Sequence, residues 1–86
     1  MKYVINTAFG GYELPEEFCE IYGIEDSWDY DEKYREDERL IKYVENHPDG
    51  DLGVVEIPDT ATDWEITEYD GVESIIAVVD SKIYHV

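Results

Sequence analysis

Cys19 is the only thiol of this 86-residue chain, and His47 and His85 are its two imidazoles. A thiolate nucleophile needs a base held within hydrogen-bond reach. Cys19 falls on the inward side of a short helical pattern, and nothing in the spacing fixes a histidine beside it. His47 stands where a helix ends, and capping that end is the role its position implies. Carboxylate pairs occur at Asp29-Tyr30-Asp31 and Asp49-Gly50-Asp51, but neither continues into the twelve-residue calcium loop with its terminal glutamate. These residues point to no catalytic group, no metal and no cofactor. The remaining constellation is Asn6-Thr7-Ala8-Phe9-Gly10-Gly11-Tyr12. Its glycine amides could form an anion nest, with Asn6 and Thr7 as hydrogen-bonding groups and Phe9 and Tyr12 as flanking rings. The spacing is neither a Walker loop nor a dinucleotide fingerprint. A structural strand-to-helix connection is therefore the expected role of this loop, and a small-ligand or nucleotide site is the alternative.

Charge narrows the class of partner. With 23 acidic and 6 basic residues the formal net charge is -17, which disfavours direct contact with nucleic acid or anionic lipid. From Tyr43 to Ser81 there are 11 acids and no Lys or Arg. Acids gathered on half the surface would approach the charge density of DNA, so an inhibitor that mimics DNA falls within the range of readings. The bland alternative is a solvated surface with no dedicated partner. Eight tyrosines exceed what so small a core needs, so some of Tyr12, Tyr30, Tyr34 and Tyr69 are expected at the surface, as interface residues often are. The candidate partner-binding set is Glu65, Glu68, Tyr69 and Asp70 with Tyr30 and Tyr34, and the expected partner is a basic protein. No apolar run approaches 18 residues and the start has no leader-like pattern, so a cytoplasmic protein is expected, with no membrane contact.

The elements that must position these residues follow from spacing. Tyr3 to Ala8 reads as a strand running into the Gly10-Gly11 turn. Pro15, Glu16 and Glu17 open a helix over about 15 to 22, with Phe18, Ile21 and Tyr22 on one face and Gly23 closing it. Glu25 to Glu36 is an acidic stretch interleaved with aromatics and is expected as a surface loop. Asp37 suits the N-cap of a second helix whose buried stripe is Leu40, Ile41 and Val44, ended by His47-Pro48. Strands are expected over Leu52 to Ile57, Trp64 to Tyr69, Val72 to Val79 and Lys82 to Val86. Asp70-Gly71 and Asp80-Ser81 supply their turns. The fold class is a single α+β domain over 1–86: an N-terminal strand, two helices, and a mainly antiparallel sheet with the helices on one face.

Four strings taken together resemble a family of small acidic bacteriophage and prophage proteins: Val4-Ile5-Asn6-Thr7-Ala8-Phe9-Gly10-Gly11-Tyr12, Arg35-Glu36-Asp37, Val54-Val55-Glu56-Ile57-Pro58-Asp59 and Trp64-Glu65-Ile66-Thr67-Glu68-Tyr69-Asp70-Gly71. The family shares an Asn-Thr-x-x-Gly-Gly opening. This chain departs from it in having Pro15 for a serine and Glu38 for a proline, and in lacking its His-Arg-x-Trp type tail. The resemblance implies a phage-related origin and supplies no catalytic residue. Small phage proteins often act on host enzymes, and the reading that results is a non-enzymatic accessory protein that modulates a basic host protein through an acidic, tyrosine-bearing surface.

Overall fold

Tyr3, Val4 and Ile5 form an unbroken apolar run, and a strand with that pattern must be covered on both faces. The computed structural model, which describes residues 1–25 and 34–86, places them in β1 (Lys2–Asn6) at the centre of the molecule. β1 pairs antiparallel with β2 (Leu52–Glu56), from Lys2 opposite Glu56 to Asn6 opposite Leu52. One face of this ribbon meets two helices, α1 (Glu16–Tyr22) and α2 (Glu38–Glu45), in a core of Val4, Leu14, Phe18, Leu40, Val44 and Leu52 among others. The other face carries Tyr3 and Ile5 against Ile57 and Ile75. There Tyr3 also packs edge-on against Trp64, with ring centroids 4.9 Å apart.

The second face is closed by a separate meander of β3 (Asp63–Tyr69), β4 (Val72–Val79) and β5 (Lys82–His85). The expected α+β class holds. The strands divide into a two-stranded ribbon and a three-stranded sheet, and both helices lie on the ribbon. Asp70 (φ 52) and Gly71 (φ 86) make the β3–β4 turn with both central residues left-handed, as do Asp80 (φ 51) and Ser81 (φ 63) between β4 and β5.

α2 begins as its sequence requires: the Asp37 carboxylate accepts from the Arg39 backbone N–H at 2.9 Å and also holds the Arg39 guanidinium. Its stripe of Leu40, Ile41 and Val44 is buried. α1 differs from expectation on two points. Pro15 is the residue before the helix, with extended backbone (ψ 137), and the buried side chains are Phe18 and Cys19, while Ile21 is 60% exposed. A helix of fewer than two turns has too few residues to impose a period, so its inward side is set by the buried Leu14 before it and by Gly23 after it. The Gly23 and Ile24 N–H groups both donate to the Cys19 carbonyl.

Candidate functional site

The free edge of β1 would present unpaired backbone groups in the middle of the fold, which a buried strand cannot leave unmet. Arg35 and Glu73 meet them. The Val4 N–H donates to the Arg35 carbonyl at 2.9 Å, and Arg35 Nη1 donates back to the Val4 carbonyl at 3.1 Å. Glu73 Oε1 accepts the Asn6 N–H at 2.7 Å, and both Glu73 oxygens receive the Arg35 guanidinium, at 2.9 and 2.8 Å. The Tyr12 ring lies beneath the guanidinium carbon at 3.9 Å. Burial of Arg35 lowers its pKa, but the hydrogen bonds and attraction of Glu73 outweigh that and hold it above the ordinary value. Sequence reasoning missed this pair. Its signal was parity: Glu73 alternates with Ile75 and Ala77 on the inward side of β4, where a carboxylate needs a cation.

This node absorbs part of the candidate ligand loop. Asn6 is 1% exposed, and its carboxamide nitrogen donates to the carbonyls of Ala8 and Gly71, each at 2.6 Å. Tyr12, one of four tyrosines of which some are expected at the surface, is buried under Arg35, where its ring face meets the desolvated guanidinium. Thr7 is tied to Asp51, whose carbonyl accepts both its N–H and its hydroxyl. Gly10 and Gly11 turn with φ of 107 and 89, and their amide nitrogens lie directly against Gly71 of the β3–β4 turn. Phe9 is the large side chain this loop presents outward, at 79% exposure.

The candidate partner-binding residues do not gather into one patch. Glu65 and Tyr69 share the outer face of the three-stranded sheet with Val72, Ile76, Val78 and Ile83. Tyr69 is 79% and Ile83 68% exposed, Glu65 is also exposed, and Val72, Ile76 and Val78 are half-buried. Glu68 has the opposite parity and accepts the Gly71 N–H at 3.0 Å, bracing the turn on which Asp70 is exposed. Tyr34, also expected at the surface, is half-buried against the helical core because it directly precedes Arg35, which is anchored inside. Tyr30 lies outside the described residues. His47 closes α2 with Nδ1 donating to the Tyr43 carbonyl at 2.7 Å and its ring stacked on Tyr43.

Among the described residues no three His, Cys, Asp or Glu side chains converge as metal ligands, and no helix is long and apolar enough to cross a membrane. Comparison with protein families, curated proteins and solved structures gives no match.

Proposed function

We propose that this chain is a non-enzymatic binding protein that engages a basic protein through the outer face of β3–β4–β5. The phage or prophage setting, and a basic host protein as the target, rest on the resemblance of the four strings quoted above. The observation that carries the reading is the composition of that face: Ile76, Val78 and Ile83 form an apolar cluster, the hydrogen-bonded pair Thr67 and Ser74 separates it from Val72 and the exposed Tyr69, and Asp63 and Glu65 lie along the β3 margin. An apolar centre with a polar margin is the pattern of a protein interface, and the acids of the β3 margin set the sign of the partner. The nucleotide alternative at the Asn6 to Tyr12 loop draws less support, because Gly71 closes against the Gly10 and Gly11 amides and Asn6 is committed to backbone carbonyls.

The test is capture from bacterial lysate by the wild-type chain and by Glu65→Lys, Tyr69→Ala and Ile83→Ser. A specific partner should be retained by the wild type, released by salt in the range where the Debye length falls below about 10 Å, and lost with each of the three variants. Glu65→Lys should act on the association rate, and Tyr69→Ala on the dissociation rate. A partner held equally by all four chains and indifferent to salt would refute the reading.

A further inference from the structure

Beside Phe9 the molecule has a cleft of about 670 Å³, between the segment from Phe9 to Glu16 and the segment from Tyr43 to Leu52. Its volume falls in the range of small-molecule sites, about 300 to 1,000 Å³. It uses no residue of β3, β4 or β5, so it stands apart from the sheet-face reading. The floor is apolar: Leu14, Val44 and Leu52, all buried members of the helical core, reach its lining. Aromatic surface stands at the sides, in the exposed ring of Phe9 and in the Tyr43–His47 stack, whose centroids are 4.0 Å apart.

The charged side chains have a single sign. Among the described residues four carboxylates line the cleft, Glu13 and Glu16 from one wall and Asp49 and Asp51 from the other, and no Lys or Arg stands with them. Asn6 has both amide protons donated to carbonyls, so the group it can still offer is an acceptor oxygen. His47 donates from Nδ1 to the Tyr43 carbonyl and presents its ring in the stack on Tyr43. The Tyr43 hydroxyl donates to Glu17 at 3.2 Å, leaving its lone pairs. Exposed Asn46 alone among these side chains offers both senses. Acceptors of negative charge around an apolar, ring-bearing floor complement a donor that is cationic and carried on a hydrocarbon stem.

We propose that this cleft binds a small organic cation, an alkylammonium or guanidinium on an aliphatic stem. A compact inorganic cation would leave the apolar floor unused, and a phosphate would face four carboxylates with no basic residue to meet it.

The experiment is an NMR titration of the ¹⁵N-labelled chain at 150 mM salt with agmatine, with a blocked glycyl-arginyl-glycine peptide, with adenosine monophosphate and with potassium at matched ionic strength. Agmatine should saturate, with shifts confined to Gly10, Gly11 and the backbone from Asn46 to Leu52. Asp49→Asn combined with Asp51→Asn, both at exposed positions, should weaken it at least tenfold, Phe9→Ala should weaken it several-fold, and Glu65→Lys on the sheet face should leave it unchanged. Shifts spread over every acidic segment and matched by potassium would overturn the proposal, reducing it to a counter-ion cloud. Saturable adenosine monophosphate binding at the same amides would overturn it in favour of a nucleotide. A blocked peptide binding ten times more tightly than agmatine would overturn the small-molecule assignment in favour of a protein side chain.

Discussion

Two glycine-to-alanine substitutions separate what backbone conformation and close packing each require of this fold. Gly23 and Gly71 are both left-handed, with φ of 67 and 86. A Cβ added at Gly23 meets no atom within 4 Å, whereas one at Gly71 would stand 2.9 Å from Gly10 N and 3.1 Å from Gly11 Cα, and closer still to Gly11 N. Left-handed backbone costs an L-residue about 1 to 2 kcal/mol, and alanine recovers about 0.4 to 1 of that through the unfolded chain, equally at both sites. Gly23→Ala should therefore lose about 1 kcal/mol. Gly71→Ala adds the displacement of the Gly10-Gly11 backbone, on the scale of about 1 to 3 kcal/mol for overpacking. It also disturbs the Asn6 bond to the Gly71 carbonyl, worth about 1 kcal/mol. The total is about 3 to 5 kcal/mol, and at about 4 to 8 °C per kcal/mol for a chain this size the Tm should fall by more than 10 °C, against about 4 to 8 °C for Gly23→Ala. Thermal and urea unfolding followed by far-UV circular dichroism reads both. Equal losses at the two positions would show that Gly71 serves only its turn, and that the hairpin tip does not hold the Gly10-Gly11 loop.

Glu73→Ala leaves the Arg35 guanidinium buried without its carboxylate and should lose about 3 to 5 kcal/mol in urea denaturation. In a cycle of Arg35→Met, Glu73→Leu and the two combined, the double variant should lose less than the sum of the two singles, and strict additivity would refute the coupling. Asp37→Ala should lose about 1 kcal/mol of cap energy. The Arg39 guanidinium holds the Asp37 carboxyl below its ordinary 3.8 against a desolvation that works the other way, with the Arg39 N–H assisting. That contribution is complete above the unfolded value and is lost as pH falls through the depressed folded one. The gap between wild type and Asp37→Ala should thus be constant from neutral pH to about pH 4 and close below it in an acid titration. Ser81→Gly, at a left-handed exposed position, should raise stability by about 0.5 to 1 kcal/mol, visible as an increased Tm.

Most elements are legible in the sequence because local chemistry decides them. Asp70-Gly71 specifies a turn that needs two left-handed residues, Asp37 specifies a cap, and Leu40, Ile41 and Val44 fall on one side of a helix long enough to express its period. Four features are illegible because they depend on what the chain brings from far away. The burial of Tyr12 follows from the position of Arg35, and that of Arg35 from Glu73, a relation no window of sequence contains. The split into ribbon and sheet depends on β1 choosing β2 rather than β3 or β5, and nothing local to β1 specifies that partner. Charge and residue type select the surface candidates, and only parity across the β3–β4 register separates Glu65 and Tyr69 from Glu68. The acceptor-lined cleft joins two segments distant along the chain, and only the first of them has a sequence pattern that draws attention to it.

The central position of β1 also bears on how the chain is made. Among the described elements β1 is made before its partners, and its edge is completed late: Val4 waits for Arg35, 31 residues on, and the Asn6 N–H for Glu73, 67 residues on. Until β4 is in place, the Tyr3-Val4-Ile5 run is a strand with one edge open, the kind of segment that recruits the same segment of another unfinished chain. Separations of this length slow folding and lengthen that exposure. A net charge of -17 on 86 residues acts during the same interval, because nascent copies that would otherwise pair edge to edge repel one another. The acidity that costs the finished domain some compaction therefore protects the chain while it is least able to protect itself.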